Sequence, residues 1–120
     1  MIRVLISSDS RYPISRSKIA AAVESVLKEK GVTSVAEVSV LICGARKSRA
    51  LAKKYLKDDR PHNVLSFPSG DVVALGDIAI CYPLAQGEAN RDNVLVDTKI
   101  NELVTHGMLH LLGEHHSDSD

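Results

Sequence analysis

Aromatic residues, cysteines and long apolar runs are all scarce in this 120-residue chain, and each scarcity excludes a class of protein. There is no tryptophan, one phenylalanine and three tyrosines, so the core must be built from valine, isoleucine, leucine and alanine. Two cysteines are too few for a disulfide framework and suit a reducing compartment. No apolar run resembles a signal peptide or could span a bilayer. These features predict a cytoplasmic protein that does not associate with membranes.

Charge of one sign is not in excess either, because 15 basic residues balance 15 acidic ones. A balanced chain has no global field that would draw it onto nucleic acid or a membrane. Any such binding therefore has to depend on a local patch of charge. The length suits one domain with a sizeable core, and no repeat, low-complexity tract or linker divides it. We expect a single domain over residues 1–120.

Apolar periodicity predicts four strands and three helices. The strands are expected near residues 2–6, 34–42, 63–67 and 78–82, and the helices near 17–30, 45–57 and 97–113. Ser15 or Ser17 can cap the first helix, whose apolar stripe is Ile19, Val23, Val26 and Leu27. Since helices and strands are interleaved without strict alternation, the pattern favours an α+β fold. Its small mixed sheet of about four strands would pack against the helices.

Four of the five histidines fall near the end of the chain, all within the segment His106-Gly-Met-Leu-His110-Leu-Leu-Gly-Glu-His-His116. His106 and His110 are four residues apart, so they project from one helical face and can direct two lone pairs at one ion. Gly113 can end the helix and turn the chain back, which would let His116 approach the same point. Three protein ligands leave an open position for water or substrate. The spacing predicts a C-terminal metal-binding helix with one zinc per chain, although imidazole also suits other divalent metals.

Gly107 separates this pattern from that of the zinc proteases, in which a glutamate follows the first histidine and serves as general base. Without that base, composition and spacing indicate only a metal-dependent hydrolase. Glu102 lies one turn before His106 and could orient a ligand or shuttle a proton, but a solvated helix residue is an equal interpretation. The catalytic residue therefore stays open, with Glu102 as the candidate.

The histidine segment resembles the signature of the YbeY family of bacterial metal-dependent endoribonucleases. Two further segments are similar to the family's pattern in the same order, namely Asn63-Val-Leu-Ser-Phe-Pro68 and Leu75-Gly-Asp-Ile-Ala-Ile-Cys81. The resemblance implies an α+β domain that hydrolyses single-stranded RNA, with His106, His110 and His116 as the metal ligands. It also implies maturation of ribosomal RNA, notably the 3′ end of the small-subunit RNA, and a part in ribosome quality control. The chain departs from the family at Leu56, where an arginine commonly follows the tyrosine.

The predicted second helix is strongly basic. Five cations recur at intervals of three and four residues and are therefore candidates for RNA contacts on one helical stripe: Arg46, Arg49, Lys53, Lys57 and Arg60. Such a stripe could follow a phosphate backbone. A solvated helix face is the competing interpretation, since charge runs usually are solvated. The residues expected to face the core are Ala45, Ala52, Tyr55 and Leu56.

Three functions are consistent with these residues. The leading hypothesis is a metal-dependent endoribonuclease whose partners are single-stranded ribosomal RNA and the small ribosomal subunit. A zinc metallopeptidase is favoured by the histidine spacing and opposed by Gly107. A non-catalytic ribosome-assembly factor, in which zinc only stabilises the C-terminus, is the alternative outside enzymes. The oligomeric state is not indicated by the sequence.

Overall fold

Four strands and four helices make up the part of the chain that the computed structural model describes, residues 1–9 and 11–113. In chain order they are β1 (Ile2–Ser8), α1 (Arg16–Glu29), β2 (Ala36–Cys43), α2 (Ala45–Leu56), β3 (Val64–Pro68), β4 (Ala74–Cys81), α3 (Tyr82–Asp92) and α4 (Val96–Leu111). Together they form one compact α+β domain, as the sequence predicted.

The strands form a single mixed sheet in the order β1-β2-β4-β3. β1, β2 and β4 run parallel, whereas β3 pairs with β4 in the antiparallel direction. Parallel neighbours need long connections, and helices lie within the connections here, while a short turn suffices between β3 and β4. The prediction of a small mixed sheet of about four strands is confirmed.

The main core lies between one face of this sheet and helices α1, α3 and α4. Alternate residues of the central strands point into it, so Val38, Val40 and Ile78 are fully buried. All four residues of the predicted α1 stripe are buried as well. Of the two predicted caps, Ser15 is the one used, because its hydroxyl accepts a hydrogen bond from the backbone N–H of Lys18.

The longest helix, α4, packs against α1, α3, β3 and β4. Its predicted apolar face is confirmed, since five residues of that face are buried: Ile100, Val104, Gly107, Met108 and Leu111. Gly113 follows the helix with a φ of +84°, the left-handed conformation that the sequence indicated. No helix within residues 1–9 and 11–113 is long and apolar enough to cross a membrane.

Helix α3 was not predicted, and the strand before it was displaced. The sequence predicts that Tyr82 ends a strand and predicts no helix between that residue and residue 97, but Tyr82 begins the helix and Pro83 occupies its first turn, where proline is well tolerated. The helix buries mainly small side chains, Ala85 and Ala89, and therefore shows no apolar stripe. β4 begins at Ala74 and not near Ile78. The sequence pattern did not indicate its first half, because that half is poor in the β-branched residues typical of strands.

The core side predicted for α2 is wrong for three of its four residues. Ala52 is buried, but Ala45 is exposed, and Tyr55 and Leu56 are 56% and 53% exposed. The helix contacts the second face of the sheet only through a narrow strip, in which Ser48 is the other buried residue. That contact forms a small cluster of Ala52 with Leu65 and Ala79 and leaves much of the second sheet face uncovered.

Gly76 allows the β3–β4 pair to approach the end of α4. Its φ of +141° is a conformation that side chains with a Cβ rarely adopt. A Cβ there would lie against the carbonyl oxygen of Phe67 and 2.9 Å from Cδ2 of Leu111. Glycine at this position is therefore required both by the backbone angle and by the two neighbours.

We expect Gly76→Ala to lower the free energy of unfolding by more than about 3 kcal/mol, because strain at positive φ adds to the steric overlap. Gly87→Ala is the matched control, since Gly87 lies inside α3 and a Cβ there meets nothing within 4 Å. The control should raise stability by about 0.5–1 kcal/mol through helix propensity. Urea unfolding monitored by circular dichroism measures both. Equal changes in the two variants would contradict this account of Gly76.

Candidate functional site

Two histidine side chains lie together on the flank of α4. His106 and His110 are one turn apart, with ring centroids 4.5 Å apart and ring planes inclined at 48°. Both residues are half-buried, and Nε2 of His110 is inaccessible to solvent. The prediction that these two histidines share one helical face is confirmed. Neutral imidazoles in this arrangement can direct nitrogen lone pairs toward a single ion.

Gly107 sets how α4 lies on the sheet. It is buried, and a Cβ at this position would lie 3.0 Å from Cγ2 of Ile78 in β4. The helix backbone therefore approaches the sheet here, and the residues on either side of this contact turn His106 and His110 to the flank. The position that carries the general base in zinc proteases faces the core of this protein. A glutamate there would have to be buried against Ile78.

His116, the third predicted ligand, lies outside the described residues, together with Glu114 and His115. Within residues 1–9 and 11–113, no group of three histidine, cysteine or carboxylate side chains could hold a metal ion. The structure thus brings together the two predicted ligands that it describes. A pair of imidazoles from one helix face fits zinc, which takes nitrogen ligands in open three-ligand sites. The complete ligand set and the identity of the metal stay predictions.

Glu102, the candidate for proton transfer, lies one turn before His106 and is held by Lys99. Its Oε2 is 3.0 Å from Nζ of Lys99, and its side chain is 57% exposed. Lys99 also donates to Asp92 at 2.8 Å and is itself 9% exposed. The hydrogen bond to Asp92 and then the one to Glu102 raise the pKa of the lysine. Glu102 is therefore the outer member of a small ionic network that joins the end of α3 to α4.

The predicted basic stripe is shorter than the sequence indicated. Arg46, Arg49 and Lys53 lie in α2, but the helix ends at Leu56, and Lys57 adopts a left-handed conformation with φ of 56°. Arg60 lies in the loop beyond it. The expectation of one helical stripe through all five cations is therefore wrong, because the chain turns away at Lys57. Their contact with RNA stays a prediction.

Two of these five cations are held by aspartates of the same loop. Arg49 donates from Nε and Nη2 to the two carboxylate oxygens of Asp59, at 2.7 and 3.1 Å, and Arg60 donates from Nε to Asp58 at 3.0 Å. The hydrogen bond from Arg49 lowers the pKa of Asp59. The other three, Arg46, Lys53 and Lys57, are exposed and form no ion pair with the residues that the structure describes. These three cations are the ones available to an anionic ligand.

The loop after α2 is fastened to the helix by Ser48 and His62. The buried Ser48 hydroxyl accepts from the backbone N–H of His62 and donates to its carbonyl oxygen, both at 2.9 Å. The ring Nε2 of His62 lies 2.8 Å from Asp58. The fifth histidine is thus committed to loop structure, and it keeps the loop cations close to α2.

A groove of about 750 Å³ lies on the second face of the sheet, opposite to the face that α4 covers. We call it the sheet groove; its walls include Ser39, Leu41, Lys47, Leu51, Tyr55, Leu56, Phe67 and Asp77. Neither histidine of α4 lines it. The sequence patterns did not identify the groove, because Tyr55 and Leu56 were assigned to the core. Alternation of Ser39 with the buried Val38 and Val40 was the available signal that this strand face is only partly covered.

Comparisons with known proteins agree over nearly the whole chain. The family model described as endoribonuclease YbeY matches residues 6–120. The chain is 31% identical over 131 residues to endoribonuclease YbeY from Acinetobacter baumannii strain AB307-0294, which covers 99% of this chain and 83% of that protein. It is 35% identical over 118 residues to endoribonuclease YbeY from Aquifex aeolicus strain VF5, covering 95% of this chain and 77% of the relative.

The fold agrees with a solved structure as well. The solution structure of TM1509 from Thermotoga maritima superimposes with a TM-score of 0.62 at 29% sequence identity. That match covers 100% of this chain and 77% of the Thermotoga protein. The family model, the relatives and the fold all agree, and the chain belongs to the endoribonuclease YbeY family.

Proposed function

We propose that this protein is a metal-dependent endoribonuclease that cleaves single-stranded RNA. The observation that carries the proposal is the pair of imidazoles, His106 and His110, held 4.5 Å apart on the flank of α4. Membership of the endoribonuclease YbeY family supports the nuclease activity. The proposed substrate is ribosomal RNA in the cytoplasm, including the 3′ end of the small-subunit RNA, with a further part in ribosome quality control.

The metal-holding residues in this proposal are His106, His110 and His116. A bound zinc ion would polarise a phosphate oxygen and lower the pKa of a water molecule. The buried face of α4, with Gly107 close to Ile78, places both imidazoles on the flank of the helix. Preorganised ligands of this kind lower the cost of building the site.

The chain's other residues would position the strand and move protons. Arg46, Lys53 and Lys57 are exposed and are not engaged by described carboxylates, so they can neutralise phosphates of the RNA. Glu102 remains the candidate for accepting a proton, because it lies one turn before His106 in α4 and its carboxylate is paired only with Lys99 among the described residues. The small ribosomal subunit would contact the protein through the same three cations.

The two alternatives are less favoured. A metallopeptidase of the usual kind needs a glutamate where this chain has Gly107, and that position is buried against Ile78. A non-catalytic assembly factor would need the paired histidines only as a structural staple. Membership of a family of nucleases favours the enzyme over both.

The direct test is His110→Ala, compared with His62→Gln as a matched histidine variant outside the proposed site. We expect near-stoichiometric zinc in the wild type and in His62→Gln, and loss of the metal in His110→Ala. Cleavage of a labelled single-stranded RNA should fall at least about 100-fold in the same variant, since metal stabilisation of the transition state amounts to several kcal/mol. Mass spectrometry gives the metal content. Cleavage at the wild-type rate by contaminant-free His110→Ala protein would overturn the proposal.

Cations of α2 without an ion pair, such as Lys53, should contribute more to the affinity for RNA than a cation paired with an aspartate, such as Arg49. We expect Lys53→Ala to reduce the slope of log K against log salt concentration by about 0.7, the value for one phosphate contact with a single strand. Arg49→Ala should reduce it less, because Asp59 competes for the Arg49 guanidinium. Fluorescence anisotropy with a labelled oligonucleotide in EDTA measures the slopes, and Lys28→Ala in α1 is the control. Equal slopes for the Lys53 and Lys28 variants would argue against α2 as the RNA-binding surface.

A further inference from the structure

The floor of the sheet groove is formed by rows of side chains that lie in register across the strands. Strand register places Ser39 beside Asp77, and Asp77 directly opposite Phe67, in one row across the sheet. The neighbouring row places Ser7 beside Leu41, and Leu41 beside Ala79. Because residues in register share a face, Phe67 and Asp77 project to the same side as the groove. An aromatic ring and a carboxylate therefore stand side by side on an open sheet face.

Helix α2 adds a second aromatic ring above this row. The rings of Tyr55 and Phe67 lie 5.0 Å apart between centroids and are inclined at 54°. Tyr55 is 56% exposed, although it is one of only four aromatic residues besides histidine in the chain. Exposed aromatic rings that converge on a groove are typical of ligand sites, because a planar ligand can contact them at small conformational cost.

The charged groups around these rings are complementary to the groups of a nucleotide. Lys47 lines the groove, and Nζ of Lys54 lies 5.1 Å from the centroid of the Tyr55 ring. Neither lysine forms an ion pair with a described residue, so both ammonium groups can contact phosphate. Asp77 differs from these two lysines, since it places a negative charge within the groove. A carboxylate beside a base-stacking ring can accept a hydrogen bond from an exocyclic amino group.

We propose that the sheet groove binds an unstacked nucleobase of single-stranded RNA and prefers a base with an exocyclic amino group. The base contacts Tyr55 and Phe67, Asp77 accepts from its amino group, and Lys47 and Lys54 hold the adjacent phosphates. Open sheets with exposed aromatic residues bind RNA in this way in other folds. This inference rests on the proposed function, because it takes RNA as the substrate, and it assigns a binding role to residues outside the metal site.

The fold makes this subsite selective for single strands. The groove lies on one face of the sheet, whereas α4, which carries the two histidines, packs on the other face. An RNA strand that reaches both must pass around an edge of the sheet with at least one base turned out of the stack. A duplex cannot do so, because its bases are paired and stacked.

Binding of fluorescein-labelled ten-residue oligocytidine and oligouridine, measured by anisotropy in EDTA, tests the proposal without any contribution from cleavage. Tyr55→Leu should weaken binding of both oligonucleotides at least about 5-fold, the lower end of the stacking contribution of one base. Tyr12→Leu is the matched control, since Tyr12 stacks on Tyr82 and packs against the main core, away from the sheet groove. Lys47→Ala should weaken binding, whereas Lys28→Ala should not. Circular dichroism melting verifies that each variant is folded.

The preference between bases isolates Asp77 from general electrostatics. Wild-type protein should bind oligocytidine about 5-fold tighter than oligouridine, and Asp77→Ala should abolish this ratio even if removal of the charge strengthens both interactions. Unchanged binding by folded Tyr55→Leu would overturn the proposal. So would a wild-type dimer in sedimentation that dissociates in Tyr55→Leu while RNA binding persists, because the groove would then be a protein interface. Neither result would affect the nuclease proposal, which the His110→Ala comparison tests separately.

Discussion

The close contact between α4 and β4 is the interaction on which the rest of the site depends. Glycine at position 107 lets the helix backbone lie close to Ile78, because a Cβ there would lie only 3.0 Å from Cγ2 of that side chain. This contact buries the apolar side of α4, including Val104 and Met108, and leaves the neighbouring flank half-buried. The histidines occupy that flank. The packing of the core and the placement of His106 and His110 are therefore one and the same constraint.

The two faces of the sheet have different roles in this account. One face carries three helices and the main core, and His106 and His110 lie on the flank of one of these helices, α4. The other face is covered only by a narrow strip of α2, which leaves the sheet groove open beside exposed lysines. β3 joins both parts, because α4 packs against it and Phe67 lines the groove. Chemistry and strand binding can thus be divided between opposite sides of one thin sheet.

Sequence patterns predicted the parts of the molecule that bury long apolar side chains. The stripes of α1 and α4 were predicted residue by residue, because a 3.6-residue period directly reports which face is buried. Helix α3 was missed, since alanines fill its buried face and leave no period to detect. Tyr55 was misplaced because hydrophobic character was taken as burial, whereas its environment depends on how little of the sheet α2 covers. The pairing of Arg49 with Asp59 depends on a loop turn that no local pattern encodes.

X-ray absorption at the zinc edge of the zinc-loaded protein would test the central claim most directly. The account predicts three imidazole nitrogens at about 2.0–2.1 Å from the metal, together with an oxygen donor at the open position. The three rings would come from His106, His110 and His116. Sulfur scattering at about 2.3 Å, which would assign the metal to the buried Cys43 and Cys81, would contradict it. A first shell without imidazole would do the same.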